Sequence, residues 1–301
     1  MSQLTQLGGF DQRFDQLSVE RAVSHLSRAN VRTPLSVERL KQWVKQFQST
    51  EEKTLAWLIL RNLIFRTNEQ LLSSMRQAVK QATIHFVEQQ SLRGSVSWDD
   101  ALKGHSGLTF LCGPPSLATR GLPAQPGKSG DLIARLISQR YGIDRHFPSD
   151  VTVLKEDERF IVVDDGTYTG IQLANFLQGW DIDFSHGRVA IAVAIAHDTA
   201  RKHLSEQFPS VALFHGELLT TDMCFQALSK KWIETKQWGY QKSPLEVYDA
   251  LHKRNKPFGN GNGGNGYGDI GALVAFGHGA PDDSIQLLWD VSPSWKPLVD
   301  R

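Results

Sequence analysis

The sequence predicts an α/β fold: a parallel sheet flanked by helices, with an all-helical N-terminal region and a small C-terminal hood. Three observations predict it. From about Gly94 onward, short β-branched runs alternate with helical stretches, the pattern of a parallel sheet built from βα units. Three of those runs are apolar with little alternation, as expected of strands covered on both faces. Upstream, residues 17 to 92 carry helical periodicity and N-cap signals. The expected division is a helical region over residues 1–94 and an α/β domain over 95–301, whose hood starts at about residue 255.

In the helical part, "LSVER" occurs at Leu17–Arg21 and Leu35–Arg39, each copy offering a serine N-cap, Ser18 or Ser36. No third copy exists, so these are two similar helix starts and not a repeat array. Ser49 and Glu52 form a capping box ahead of a strongly apolar helix, and a fourth helix spans about Asn68 to Gln90. Expected strands are Leu108–Cys112, Val151–Leu154, Phe160–Asp164, Arg188–Ala196 and Val211–Leu219. Helices fall at Asp131–Arg140, Thr169–Trp180 and His197–Phe208, with a further helical region reaching about Arg254. The run Gly259–Gly268, almost devoid of side chains, reads as a slack linker. Short strands at Ala272–Phe276 and Ile285–Trp289 close the chain.

The composition bounds the function. With 33 basic and 32 acidic residues the chain has no global field to announce a nucleic-acid or membrane partner. Its two cysteines, Cys112 and Cys224, make no disulfide framework and have no zinc spacing. No run of about 18 apolar residues spans a bilayer, and the polar N-terminus has no signal-peptide core. The expectation is a soluble, cytoplasmic protein in a reducing compartment.

The chemistry concentrates in "RFIVVDDGTYTG", Arg159–Gly170. An apolar strand runs into Asp164 and Asp165, then into the turn Gly166, Thr167, Tyr168, Thr169 and Gly170. In an open α/β sheet, ligands sit at the carboxyl ends of strands, where the next helix points its amides outward. Loop amides with the Thr167 and Thr169 hydroxyls suit a phosphate, and the two carboxylates suit a vicinal diol. A 5-phosphorylated ribose presents both. Two other readings stand beside this one: a receiver-type acidic metal site, which would sit on the first strand of a smaller domain, and a purely structural strand-to-helix turn.

At these residues the chain resembles the type I phosphoribosyltransferases. Their hallmark is an apolar strand, two acids, three variable residues, then Thr or Ser and Gly, binding phosphoribosyl pyrophosphate (PRPP). Asp164, Asp165, Thr169 and Gly170 match, whereas Gly166, Thr167, Tyr168 and Gln172 depart from the usual aliphatic or small residues. The departures point away from a housekeeping purine or orotate enzyme. They point toward the divergent phosphoribosyltransferase-like effectors of bacterial conflict and antiviral defence systems, retron-associated ones included. Those often carry a Lys-Ser-Gly turn early in the fold and a His/Asn-x-Pro-Asn/Asp-x-Ser motif near the end. This chain has "PGKSGDLIARL" at Pro126–Leu136 and "FGHGAPDDSIQLLW" at Phe276–Trp289.

The resemblance implies PRPP as co-substrate with Mg²⁺, and a phosphoribosyl transfer reaction. Asp164 and Asp165 would orient the ribose and hold the metal, and the Gly166–Gly170 loop would hold the 5-phosphate. Lys128, Ser129 and the Gly130 amide would face pyrophosphate, and His278 would be an acid/base or base-contacting group in the cleft. A capped helix start with a solvated lysine explains Lys128 equally well, and an exposed turn, "APDD", explains the letters after His278. "GLPAQPGKSG" is no Walker loop, since Gly121 and Gly127 enclose five residues instead of four. His197 and His215 read as satisfied structural groups near strand ends. The resemblance also allows a non-catalytic nucleotide sensor or adaptor that uses the same pocket to regulate a protein or nucleic-acid partner docked on the N-terminal helices.

Overall fold

The computed structural model describes residues 17–89, 96–115, 129–255 and 264–300. In chain order the main elements are α1 (residues 17–28), α2 (Val37–Lys45), α3 (Thr50–Asn62), β1 (Ile64–Arg66) and α4 (Asn68–Gln89). Next come α5 (Trp98–Leu102), β2 (Thr109–Gly113), α6 (Ser129–Tyr141), β3 (Asp144–Arg145), β4 (Glu158–Thr167) and α7 (Ile171–Gly179). The series ends with β5 (Val189–His197), α8 (Asp198–Gln207), β6 (Ala212–Leu219), α9 (Phe225–Glu234), α10 (Pro244–Asn255) and β7 (Val274–Phe276). Contacts gather these into two compact units, one from the two ends of the chain (up to Asn68 and from Thr220) and one from Glu69–Leu219.

The middle unit is the predicted α/β fold, a five-stranded sheet in the order β3-β2-β4-β5-β6 with every pairing parallel. Side chains alternate across a strand, and β5 uses that alternation to sort by size. Val189, Ile191 and Val193 join Phe160, Val162 and the α7 and α8 residues Leu173, Phe176, Leu177 and Leu204 in one apolar layer. The intervening Ala190, Ala192 and Ala194 are fully buried on the other face. That face is the one α4 and α6 cover: the Phe86 and Phe110 rings lie 6.3 Å apart, and the Cys112 thiol donates to the Ala134 carbonyl. The backbones come close there. A Cβ on Gly216 of β6 would stand 2.3 Å from the Ser74 carbonyl oxygen of α4, so only glycine fits.

The chain-end unit has its own core of Trp43, Phe47, Leu55, Ile59, Trp232, Tyr248 and Trp295. β1 pairs in parallel with β7, Ile64 opposite Val274, joining segments about two hundred residues apart in sequence. The Arg39 guanidinium donates to the Pro297 and Leu298 carbonyls, and the Trp43 indole to the Leu287 carbonyl. The helices of residues 17–62 therefore share one core with the C-terminal segments, and α4 packs with the sheet. This grouping differs from the expected boundary at residues 94/95, because the apolar faces of α2 and α3 find their partners at the far end of the chain.

Several local expectations are corrected. Val151–Leu154 is an extended connector and not a strand: its carbonyls are taken by side chains, Trp180 on Val151 and Arg188 on Leu154, and Val153 stays 79% exposed. Ile285–Trp289 is a 3-10 turn over Gln286–Leu288, with Ile285, Leu287 and Leu288 all buried. The two-residue edge strand β3 was too short to carry a periodic signal. Ser36 caps α2 through the Arg39 amide and Ser49 caps α3 through the Glu52 amide, whereas Ser18 already lies inside α1. Of the glycine run, Gly259–Gly263 lies outside the described residues. Gly264 and Gly266 are packed, a Cβ on Gly266 standing 2.5 Å from the Ser284 carbonyl oxygen.

Glu52 illustrates how the two chain ends are tied. Its carboxylate accepts from the Gln48 amide and takes both Arg254 nitrogens of α10, at 2.6 and 3.0 Å. Burial alone would raise this carboxyl, but the Arg254 and Gln48 hydrogen bonds outweigh it and hold it below the ordinary glutamate value. A depressed folded pKa gives stability that is present above the ordinary carboxylate range and lost as pH falls through the folded value. Arg254→Leu should cost about 1–3 kcal/mol at pH 7 by denaturant unfolding, the mutant and wild type converging in acid. A pH-independent difference would assign the loss to packing instead.

Candidate functional site

The strand order reverses at β2: β3 lies to one side of it, and β4, β5 and β6 to the other. A crevice at the carboxyl ends of β2 and β4 follows from this switch point. β2 ends at Gly113, where a Cβ would be 2.1 Å from the His146 carbonyl oxygen and 2.8 Å from the Phe160 ring. β4 ends on the acidic motif.

β4 runs three residues further than expected. Gly166 pairs with Ile195 and Thr167 with Ala196 in continuous register, so the turn shrinks to Tyr168–Gly170. Gly170 sits at φ 77°, a left-handed conformation that glycine adopts without penalty, and a Cβ there would also meet the Ala200 backbone at 3.2 Å. The Thr169 hydroxyl accepts from the Ile171 amide at 3.3 Å, and α7 starts directly behind. The ring of Tyr168 folds back over Gly166, where a Cβ would stand 2.9 Å from it, and Tyr168 is 4% exposed.

Asp164 is 6% exposed, whereas Asp165 is half-buried. The Asp164 Oδ1 accepts from the Asp165 amide at 2.9 Å, and its carboxyl also bonds the Asp165 side chain and the Ser129 hydroxyl at the head of α6. Gly130 lies against it, a Cβ there standing 3.1 Å from Oδ1 and 3.0 Å from the Pro115 ring. Burial, then the neighbouring Asp165 charge, push the Asp164 carboxyl well above the ordinary aspartate value, and the two hydrogen bonds that favour its charged form offset this only in part.

The structure brings Asp164, Asp165, Ser129 and Gly130 together, with Gly166, Thr167, Tyr168, Thr169 and Gly170 following directly on the chain. Lys128 lies outside the described residues. His278 belongs to the chain-end unit, stacked on Phe276 at 5.3 Å in a turn closed by Phe276 and Gly279. The segment behind it builds that unit: the Asp282 and Asp283 carbonyls accept from the Tyr267 and Ala272 amides, and the Ser284 hydroxyl donates to the Val274 carbonyl. His197, 2% exposed, caps α8 by accepting the Thr199 amide at Nδ1, a structural use as expected. Burial lowers its pKa, with the Asp198 carboxylate opposing. The Ser129–Asp164 contact was not foreseen, because it spans 35 residues and leaves no local signal. Among the described residues no cluster of three or more His, Cys, Asp or Glu could hold a metal, and no helix is long and apolar enough to cross a membrane.

A model of the family described as PRTase-CE matches residues 40–301. The chain belongs to the PRTase-CE family. It is a phosphoribosyltransferase-like protein, and the parallel five-stranded sheet with flanking helices is consistent with the type I fold that the motif suggested. Among curated proteins none matches the chain.

The buried acid has a measurable consequence. A carboxyl with a raised folded pKa binds more protons folded than unfolded, so its contribution declines as pH rises from the ordinary aspartate range through the folded value. Asp164→Asn keeps an acceptor for the Asp165 amide and carries no charge. It should raise the thermal midpoint at pH 7–8 and flatten the decline above pH 4. A midpoint lowered at all pH values would show that the carboxylate form supports the fold.

Proposed function

We propose that the acidic end of β4 and the Tyr168–Gly170 turn bind PRPP or a related ribose-phosphate nucleotide, and that the protein transfers the phosphoribosyl group. One observation carries this reading: two adjacent carboxyls, one of them buried, stand at the switch point of the sheet, followed within five residues by a left-handed glycine that opens a helix. A buried acid beside a second carboxyl is costly to a fold and suits a ligand whose hydroxyls or cation can interact with the pair. The α7 amides with the Thr169 hydroxyl would receive the 5-phosphate, and the head of α6 at Ser129 and Gly130 would receive pyrophosphate. Lys128, next in sequence to Ser129, would add positive charge at the leaving group.

Mg²⁺ fits this donor set. Two carboxyls, and no third ligand among the described residues, suit a hard cation that keeps several waters and shares phosphate oxygens. When bound it would neutralise charge on the pyrophosphate oxygens. The chain's own contribution is orientation: holding the ribose by its diol and the phosphates by amides leaves the anomeric carbon fixed as pyrophosphate departs. The likeness to conflict-system proteins supports antiviral defence as the setting of this chemistry.

Thermal unfolding with and without PRPP and Mg²⁺ tests the binding. Ligand at about 100 times its dissociation constant adds roughly 2.7 kcal/mol to the wild type. Asp165→Asn should remain folded and lose that gain. A wild type unmoved by millimolar PRPP would overturn the reading. Pyrophosphate release marks an enzyme, and binding without release would make the same pocket a nucleotide sensor.

A further inference from the structure

We propose that the flank of α4 and the end of α6 form a binding surface for single-stranded nucleic acid, built from Arg76, Lys80, Trp98, Arg140 and Tyr141. The surface belongs to the middle unit and is separate from the acidic end of β4. α6 begins at Ser129 and ends at Tyr141. At about 1.5 Å of rise per residue, the patch stands roughly 18 Å along that helix from its head. The proposal does not rest on the ribose-phosphate reading.

Each side chain is set there by an element whose other face is spent on the core. In α4, Met75, Ala78, Val79 and Ala82 are fully buried, and Arg76 and Lys80, one turn apart, fall on the flank of that stripe. α5 is a short helix pinned by the fully buried Ala101 and capped by the Ser97 hydroxyl, which accepts the Asp100 amide. Its first residue, Trp98, is left half-buried. Arg140 and Tyr141 close α6 behind the buried Ile133, Ala134 and Ile137. The Arg76 guanidinium lies over Trp98, 5.3 Å from the ring centroid, and Trp98 meets Tyr141 edge-on at 5.8 Å. Burial raises the Tyr141 phenol above its ordinary pKa and the charges of Arg76 and Arg140 oppose the rise, so both guanidiniums stand near this ring.

These cations have no carboxylate to answer them. Among the described residues, no ion pair takes Arg76, Lys80 or Arg140. The acids beside Trp98 are already engaged, Asp99 by Lys103 at 2.6 Å and Asp100 by the Ser97 hydroxyl at 2.6 Å, with His105 next to it. A side chain that only covered Trp98 would need no charge, and leucine or methionine would serve. Arg76 and Arg140 are exposed, and Trp98 and Tyr141 each keep part of their surface. Uncompensated cations around half-exposed rings suit a string of phosphates with unpaired bases. The cations take phosphates, while base faces stack on the rings or on the outer plane of the guanidinium. A duplex hides those faces and can use the charges alone. With 33 basic against 32 acidic residues the whole chain attracts no polyanion, so recognition has to come from a local arrangement such as this one.

Fluorescence anisotropy tests this, with the full chain and a labelled oligothymidylate of about 16 nucleotides that carries no terminal phosphate. The single strand should bind more tightly than a duplex of the same length. Its affinity should fall with salt at a logarithmic slope of about −2, from three phosphate contacts at roughly 0.7 each. The pair Arg76→Gln and Arg140→Gln together should weaken binding by about tenfold or more and flatten the slope to about −0.7. Trp98→Ala should weaken it by about tenfold with the slope unchanged, since it removes stacking and no charge. If Trp98→Ala fails to fold, Arg76→Lys carries the same contrast by keeping the charge and losing the planar face. Asp165→Asn should bind the strand as the wild type does. No binding at low salt, equal affinity for the duplex, or binding indifferent to Arg76 and Arg140 would overturn the proposal. Loss of binding in Asp165→Asn would overturn it too, by moving the strand to the end of β4. Each of these readings stands whether or not PRPP binds.

Discussion

The middle unit depends on the burial of β5 from both sides. A strand reading Val-Ala-Ile-Ala-Val-Ala-Ile-Ala-His has no face it can show to water, so helices must cover the sheet above and below. Size does the sorting. Branched residues on one face meet the large side chains of α7 and α8, and alanines on the other permit the close approach of α4 seen at Gly216 and Ser74. Parallel strands joined by crossover helices then fix where the order can reverse. With β3 and β4 on opposite sides of β2, the reversal falls beside the end of β4, where the acids are.

Those acids are where the sequence and the fold disagree most. Every other position of β4 from Phe160 to Val163 is apolar and fully buried, and the strand then continues through two carboxyls without changing its pairing. A structural residue at 164 would need only an acceptor for the Asp165 amide and a partner for Ser129, which asparagine or serine could supply without a buried carboxyl. Retaining a second acid beside it raises the cost of burial and gives the fold nothing visible in return. Local choices that oppose the fold in this way concentrate at sites that serve a ligand.

Much of this was legible in the residues, and what was not has identifiable causes. Strands with an uninterrupted apolar signal, Phe160–Asp164 and Arg188–Ala196, appear within a few residues of their expected bounds, and so do the helices opened by Ser36 and Ser49. Val151–Leu154 misled because β-branched composition does not say whether a neighbouring strand is free to pair, and Trp180 and Arg188 claim its carbonyls first. The acidic motif was found because it is contiguous. The Ser129–Asp164 tie, the Gly130 contact and the Gly113 constraint were not, since each joins segments separated by tens of residues. Local periodicity carries no trace of such contacts, and only the glycine at each close approach hints at them.

The family match and the contact pattern together bear on the helices at the start of the chain. The match begins at residue 40, within α2, and runs to residue 301, so it spans both compact units and not the sheet alone. α3 buries Leu55, Ile59 and Leu60 completely, in a core that also holds Tyr248, Leu273, Leu287 and Trp295. Removing the first helices would strip that core of one wall and leave β7 without its partner β1. Glu52, too, would leave Arg254 without its bidentate partner. A detachable docking module would keep its apolar faces to itself, and these helices do not. The two ends of the chain form a single compact unit, and the α/β unit is inserted in the sequence between Asn68 and Thr220.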